Sequence, residues 1–184
     1  VLPPAVISEW MKLYPHLQCT NMYGPTEITV VCTHYVIPSA PDADCTTVPI
    51  GVARGNMELL VRTVDGEISK TPGAEGELLV RGTAVTYGYL GDEDRTRQVF
   101  IQNPQHNRFH DPLYCTGDLV RIDATGNIIY IGRMDTQIKF MGYRIELGEI
   151  EAIIGTTPGV DEAVVVFNNS ANEDEKFIGC MVAV

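Results

Sequence analysis

The sequence lacks long hydrophobic runs, and it has few basic side chains for its size. No apolar stretch approaches the about 20 residues of a membrane-spanning helix, so we expect no such helix. Lys and Arg number 13 against 24 Asp and Glu, which gives a net charge of −11 at pH 7. This balance repels nucleic acid backbones and anionic lipid surfaces, and we therefore exclude both as main partners.

Cysteine is also scarce and poorly spaced for a metal site or a disulfide framework. The five cysteines form no C-x-x-C pair, and their number is odd. We therefore expect free thiols and a reducing, cytoplasmic location. The sequence starts at Val1 without an initiator Met or a basic-then-apolar leader, and we expect it to be a portion of a longer protein.

Charge is unevenly distributed along the chain. Residues 1–134 carry 10 basic and 15 acidic side chains, whereas residues 135–184 carry 3 and 9. This change indicates that the last part of the chain is a separate unit.

Hydrophobic periodicity predicts a mixed α/β fold with many short strands. A helix is expected to end before Pro15, and Asp92 is expected to cap a second helix. Between Thr33 and Arg81, β-branched runs broken by Gly and Pro predict a small antiparallel sheet or barrel. Residues 124–126 predict a hairpin turn with Gly at the position of positive φ. Residues 135–184 predict a short hairpin, a helix and two closing strands.

A turn at residues 21–27, Asn-Met-Tyr-Gly-Pro-Thr-Glu, places a ring, a hydroxyl and a carboxylate on one tight loop. Tyr23 could stack on a base, Thr26 could donate to a phosphate oxygen, and Glu27 could supply an oxygen ligand for Mg²⁺. Such a loop could hold a nucleotide. The same spacing also fits an ordinary Gly-Pro turn with polar surface residues, and that alternative stays open at this point.

Later in the chain, polar residues interrupt two β patterns. Thr116-Gly117-Asp118 places a carboxylate that suits ribose hydroxyls, although a β-bulge with a solvated Asp is a plausible alternative. Arg133 ends the next β run with a guanidinium fork suited to phosphate or ribose oxygens. Lys139 and Arg144 could hold an anion, but simple ion pairs with nearby glutamates are the favoured interpretation for each alone.

Four motifs occur in order over nearly the whole chain. They are Asn-x-Tyr-Gly-Pro-Thr-Glu (21–27), Gly-Glu-Leu-Leu-Val-Arg-Gly (76–82) with Gly88-Tyr89-Leu90, Tyr-x-Thr-Gly-Asp (114–118), and Gly-Arg-x-Asp-x-Gln-Ile-Lys (132–139) leading into Gly-x-Arg-Ile-Glu-Leu-Gly-Glu-Ile-Glu (142–151). In this order and spacing the sequence resembles an adenylation domain of a nonribosomal peptide synthetase, within the adenylate-forming superfamily of AMP-dependent synthetases and ligases.

The resemblance implies a particular α/β domain organisation. Residues 1–134 would be the end of a large ATP-binding subdomain with a distorted antiparallel β-barrel. Residues 135–184 would be the start of a small, mobile α+β C-terminal subdomain, with Asp135 as the hinge between the two.

The resemblance also implies nucleotide-binding residues, which are Asn21, Tyr23, Gly24, Thr26, Asp118, Tyr130 and Arg133. Tyr23 would stack on adenine with Asn21 near its amino edge, and Asp118 would accept hydrogen bonds from both ribose hydroxyls. Tyr130 would line the nucleotide pocket, and Arg133 would reach the ribose or phosphate. The implied catalytic residues are Thr26 at the α-phosphate, Glu27 as the Mg²⁺ ligand, and Lys139.

The implied substrates are ATP and an amino acid. Met22, Val30 and Val31 would line the side-chain pocket, and because all three are apolar we expect an apolar substrate side chain. The amino acid would become an aminoacyl-AMP with release of pyrophosphate. Lys139 and the Gly142 loop would then serve transfer to the phosphopantetheine thiol of a carrier protein, with a condensation domain in the same assembly line.

Two alternatives remain for the function. One is a stand-alone ligase that loads CoA or a D-alanine carrier, although acyl-CoA and aryl-CoA synthetases usually replace the Pro of the first motif. The other is a degenerate member kept for interaction or scaffolding. Cys115 and Met141 lend it slight support, because they stand where the family usually or often has Arg.

The first prediction concerns the activity of the isolated chain. A Ser-, Thr- and Gly-rich phosphate loop and the family's C-terminal lysine are not found in residues 1–184. We therefore expect these residues alone to catalyse no amino-acid-dependent ATP–pyrophosphate exchange, measured with labelled pyrophosphate. Exchange with any amino acid would contradict this expectation.

Overall fold

The computed structural model describes residues 2–140, 143–170 and 176–183. The chain divides into two compact units, Val1–Met134 and Asp135–Val184. None of the helices in the described part of the chain has the length and apolar character needed to cross a membrane.

The first unit contains α1 (Pro4–Leu13), β1 (Thr20–Tyr23), a short 3-10 helix (Thr26–Ile28), β2 (Thr33–Val36), β3 (Val52–Ala53), β4 (Met57–Thr63), β5 (Ile68–Ser69), β6 (Glu75–Gly82), α2 (Glu93–Val99), β7 (Phe100–Gln102), β8 (Pro112–Ile122) and β9 (Ile128–Arg133). As predicted, α1 ends before Pro15. The carboxylate of Asp92 caps α2 by accepting a hydrogen bond from the Arg95 N–H at 3.0 Å.

Two antiparallel sheets make up most of this unit. The smaller has the strand order β1-β2-β3, and the larger has the order β5-β4-β6-β8-β7 with β9 also paired to β8. Strand β8 is the longest, and one of its edges pairs with β6 along its length. Its other edge is shared, since β7 pairs with its start and β9 with its end. The larger sheet is curled into a half-barrel, which confirms the predicted mixed α/β fold with a distorted antiparallel barrel.

The main apolar core of the first unit is built largely from strands of the larger sheet. Buried apolar side chains from its strands pack together with two residues of the loop after β1, Ile28 and Cys32. The smaller sheet is tied to the larger one through main-chain hydrogen bonds between Gly51 and Ile128. The loop after β1 is therefore fixed to the same core as strands β8 and β9.

The second unit contains β10 (Gln137–Phe140), β11 (Tyr143–Glu146), α3 (Leu147–Gly155), β12 (Glu162–Asn168) and β13 (Phe177–Ala183). Strands β10 and β11 pair antiparallel, as do β12 and β13. Helix α3 packs against β12, where the carboxylate of Glu151 accepts a hydrogen bond from the Val165 N–H at 2.8 Å. The predicted hairpin, helix and closing strands are all present, while Met141 and Gly142 lie outside the described residues.

Some strand limits differ from the predictions. Strand β1 begins at Thr20, after a turn at residues 15 and 16 that follows α1. The two-residue strands β3 and β5 had no sequence signal of their own. They are short enough to be set by pairing with longer neighbours rather than by side-chain pattern.

Two buried thiols give the fold a pH dependence. Burial raises the pKa of Cys32 to about 12 and that of Cys115 to about 11, from an ordinary value of 9.0. Both states keep these protons below about pH 9, and above it the unfolded chain releases them first. We therefore expect the free energy of unfolding to fall as pH rises from about 9 to 11, by up to about 1.4 kcal/mol per pH unit for each thiol.

Urea unfolding at a series of pH values under reducing conditions measures this slope. Cys115→Ala should make the decline shallower, whereas Cys180→Ala removes an exposed thiol and should leave it unchanged. Equal slopes for Cys115→Ala and the parent chain would contradict the assignment.

Candidate functional site

The loop between β1 and β2 is closed tightly on itself. The Cys32 N–H donates to the Tyr23 carbonyl at 2.9 Å, which brings the two ends of the loop together. A Cβ on Gly24 would lie 2.5 Å from the Val30 carbonyl oxygen, so only glycine fits there. Ile28 and Cys32 are both 0% exposed and anchor the loop in the core.

Within this loop the backbone is strained at Val30. Thr29 has a φ of 55° and Val30 a φ of 76°, a region that costs a β-branched residue about 1–2 kcal/mol. The Val31 N–H donates to the Thr29 carbonyl at 3.0 Å, which closes a γ-turn around Val30. The Thr29 hydroxyl also donates to the Ala84 carbonyl at 2.9 Å. Such strain persists where surrounding contacts fix the conformation, and it is common at binding sites.

Three polar side chains meet beside this loop. The Tyr23 hydroxyl donates to Oδ2 of Asp118, and Nη1 of Arg133 donates to Oδ1 of the same carboxylate at 2.9 Å. Asp118 is 6% exposed, so the alternative of a solvated Asp is wrong. Burial and the neighbouring Asp118 charge raise the pKa of Tyr23 well above its ordinary value, which keeps the phenol protonated as a donor.

Asp118 reaches this position because β8 is irregular. Glu77 and Leu79 of β6 stand opposite Leu119 and Cys115, so extra residues of β8 bulge out between them. Gly117 has a φ of 69°, which only glycine adopts readily. The Thr116 hydroxyl donates to the Leu78 carbonyl at 2.8 Å and accepts from the Asp118 N–H at 3.0 Å.

The Tyr130 side chain lies near this cluster on β9. Its ring centroid is 6.4 Å from that of Tyr23, with the two planes tilted by 43°. Asp118 and Arg133 are direct cross-strand partners in the β8–β9 ladder, which explains why their side chains meet. The structure therefore brings together Tyr23, Asp118, Tyr130 and Arg133.

Glu27 lies in the 3-10 helix and is 6% exposed, unlike a polar residue of an ordinary surface turn. Its Oε1 accepts a hydrogen bond from the Tyr89 hydroxyl at 2.6 Å. The Tyr89 ring packs against Phe100 with the centroids 5.9 Å apart, and the Arg95 guanidinium lies 5.2 Å from its centre. The Tyr89 N–H donates to the Thr96 hydroxyl at 2.9 Å, which fixes this residue against α2.

A magnesium ion fits this carboxylate only with help from a ligand. Among residues 2–140, 143–170 and 176–183, no group of three or more His, Cys, Asp and Glu could hold a metal ion. Mg²⁺ bound with nucleotides commonly takes one or two carboxylates, and phosphates and water complete its coordination. The single buried carboxylate of Glu27 agrees with that mode.

The remaining sequence-predicted residues lie around these groups or in the second unit. The Asn21 amide donates to the Pro49 carbonyl at 2.8 Å, and Met22 points to the opposite face of β1 from Asn21 and Tyr23. Thr26, Met22 and Val30 are exposed, and Val31 is half-buried. Asp135 accepts a hydrogen bond from the Gln137 N–H at 3.0 Å, and the Lys139 side chain lies outside the described residues.

Known proteins resemble this chain in sequence and in fold. The profile of the AMP-binding enzyme family matches residues 1–90. HC-toxin synthetase of Cochliobolus carbonum is 44% identical over 82% of this chain and 3% of its own length. PA1221, "an NRPS protein containing adenylation and PCP domains", superposes with a TM-score of 0.84 at 28% identity, over 99% of this chain and 31% of its own. The chain belongs to the adenylation domains of nonribosomal peptide synthetases.

A third relative was solved with a bound ligand. The Vibrio cholerae adenylation domain AlmE, solved in complex with glycyl-adenosine-5'-phosphate, has a TM-score of 0.78 at 30% identity. That match covers 90% of this chain and 30% of AlmE. This adenylation-domain chain spans between 3% and 6% of the length of the first curated relatives it matches.

The sequence motif that contains Tyr89 predicted no role for it. Its hydrogen bond to Glu27 predicts that Tyr89 contributes to the stability of the fold. Tyr89→Phe removes the phenol donor and keeps the ring. We expect a loss of about 1–3 kcal/mol in the free energy of unfolding, because Glu27 is buried.

Tyr87→Phe is the matched control, because it makes the same chemical change two residues away at a fully exposed side chain. It should leave the free energy of unfolding within about 0.5 kcal/mol of the parent. Urea unfolding compares the two variants, and equal losses would mean that the Tyr89 hydroxyl contributes nothing specific.

Proposed function

We propose that this chain forms the adenosine-binding part of an ATP-dependent ligase that converts an amino acid to an aminoacyl-AMP. The ligase then passes the aminoacyl group to the phosphopantetheine thiol of a carrier protein in nonribosomal peptide synthesis. The observation that carries the proposal is the cluster of Tyr23, Asp118 and Arg133 beside the strained loop that holds Glu27.

Ribose binding follows from the chemistry of Asp118. Each carboxylate oxygen has two acceptor positions, and the protein uses one on each through Tyr23 and Arg133. The second position on each oxygen suits the two vicinal hydroxyls of a ribose. Tyr23 and Arg133 both donate to this carboxylate, so its oxygens act as acceptors.

Adenine binding is assigned to the neighbouring side chains. The half-buried ring of Tyr23 offers a flat face for the base, and Tyr130 lies beside it. The Asn21 amide N–H groups donate to main-chain carbonyls. The amide oxygen is therefore the atom of Asn21 that can accept from the adenine amino group.

Phosphate chemistry is assigned to the loop after Gly24. The exposed Thr26 hydroxyl can donate to an α-phosphate oxygen, and Glu27 can supply one oxygen to a Mg²⁺ ion carried by ATP. When bound, that ion would offset negative charge on the phosphates as pyrophosphate leaves.

In the proposed reaction the bonds form and break between the substrates, so the protein acts mainly by positioning them. A carboxylate oxygen of the amino acid attacks the α-phosphorus, and the bond from that phosphorus to the pyrophosphate oxygen breaks. In the second step the carrier thiol attacks the acyl carbon, AMP leaves, and the thiol proton is released. A fixed ribose and α-phosphate lower the entropic cost of the first step.

The substrate and partner assignments rest on the resemblance and on relatives. Met22, Val30 and Val31 are proposed for the wall of an apolar side-chain pocket. AlmE was solved with a glycyl adenylate, and PA1221 contains a PCP domain, which supports an amino acid and a carrier as the partners. The same proposal includes Asp135 as the hinge and Lys139 in thioester formation. It also includes a neighbouring condensation domain.

The proposal predicts a specific loss on changing Asp118 in the full-length protein that carries this chain. The parent protein should catalyse ATP–pyrophosphate exchange with an apolar amino acid. Asp118→Asn keeps the side-chain shape but removes the charge and one acceptor. We expect it to raise the KM for ATP by at least about 10-fold, because hydrogen bonds to a charged group contribute about 1.5–3 kcal/mol.

Asp65→Asn is the control, because Asp65 lies exposed in the turn between β4 and β5. It should leave the KM for ATP unchanged. Unchanged ATP binding in Asp118→Asn would remove the ribose assignment. A parent protein that activates no carboxylic acid would remove the ligase assignment.

A further inference from the structure

One buried carboxylate outside the resemblance-based site holds the bulge of β8. Glu77 of β6 is 6% exposed, and its Oε1 accepts a hydrogen bond from the Gly117 N–H at 2.9 Å. Its Oε2 forms an ion pair with the Arg62 guanidinium of the neighbouring strand β4. Both oxygens of Glu77 are therefore engaged, one by the bulge and one by a cation.

The Gly117 N–H contact has a structural cause. The bulge removes Gly117 from regular ladder pairing with β6, so its N–H needs an acceptor that the ladder does not supply. The Glu77 carboxylate provides it from the adjacent strand. Gly117 directly precedes Asp118, and the Met134 N–H donates to the Gly117 carbonyl at 2.8 Å. Gly117 is thus held at both its N–H and its carbonyl oxygen.

Arg62 holds Glu77 in turn, and it lies next to Cys115. The buried Cys115 thiol packs with an apolar cluster that includes Leu60 and Leu113. Arg62 lowers the pKa of that thiol, against the larger effects of burial and of the Glu77 charge that raise it. A guanidinium from β4 therefore lies beside position 115, where the resembled family usually carries an Arg of its own.

We propose that Glu77 is a positioning residue for ribose recognition, and that it acts by fixing the Gly117 peptide so that the Asp118 carboxylate faces the nucleotide. Arg62 sets the orientation of Glu77. This inference rests on the proposed function, because it assigns Glu77 to the ribose side of the same nucleotide site.

A positioning role differs from a purely structural role in how it depends on the ligand. If Glu77 acts through Asp118, its loss should weaken only the interaction with the ribose hydroxyls. A ligand without those hydroxyls should then be insensitive to the change. If Glu77 only stabilises the sheet, both ligands should be affected to the same degree.

Two double variants isolate the Gly117 contact without leaving an unpaired buried charge. Arg62→Met with Glu77→Gln removes the ion pair and keeps an acceptor for the Gly117 N–H. Arg62→Met with Glu77→Leu removes the ion pair and the acceptor together. The two double variants differ in whether the Gly117 N–H has an acceptor at residue 77. Glu75→Gln, in the exposed part of the same strand, is a further control.

The measurement is the KM and kcat of ATP–pyrophosphate exchange in the full-length protein, with ATP and with 2',3'-dideoxy-ATP. We expect the Leu double variant to raise the KM for ATP about 10-fold over the Gln double variant, with kcat changed less than about twofold. The KM for 2',3'-dideoxy-ATP should differ less than about twofold between the two variants.

The outcomes separate this inference from the proposed function. Equal KM increases for both nucleotides, or no difference between the Leu and Gln variants, would overturn the role of Glu77 while the ligase assignment stands. A parent protein with no exchange activity would overturn the proposed function and this inference with it. Thermal unfolding of both double variants verifies that each is folded at the assay temperature.

Discussion

An interruption in the hydrogen-bond ladder of strand β8 determines where the candidate site lies. In a regular strand, side chains alternate between the two faces of the sheet, and that alternation alone would not direct the Asp118 side chain toward Tyr23. The extra residues at 116–118 break that alternation, and the left-handed backbone of Gly117 redirects the chain. The Asp118 carboxylate can then accept hydrogen bonds from both β1 and β9.

The other half of the site depends on burial rather than on a bulge. The loop after β1 carries polar residues, yet Ile28 and Cys32 pack into the core formed by the larger sheet. Those two apolar residues hold Glu27 near Tyr89 and keep Tyr23 next to β8. The site therefore combines an irregular strand with an anchored loop, and each part is fixed by the same apolar core.

Local sequence signals were sufficient for much of this architecture. Proline at the end of α1, Asp92 at the start of α2 and Gly126 in the hairpin each act through neighbouring residues, so their effects can be predicted directly. The contact of Tyr89 with Glu27 joins residues 62 positions apart, and that of Glu77 with Gly117 joins residues 40 positions apart. No local pattern reports such contacts. The burial of Glu27 was also missed, because it depends on the packing of the loop into the core and on the distant Tyr89 side chain.

The anchored loop has a consequence for how this kind of protein can diversify. Val30 is 69% exposed and lies between two anchors, Ile28 and Cys32, that are fully buried. A side chain in that position can be exchanged without repacking the interior, while the flanking anchors preserve the backbone path. If Val30 lines the substrate pocket as proposed, a substitution there changes the wall of that pocket without altering the groups on β8 and β9.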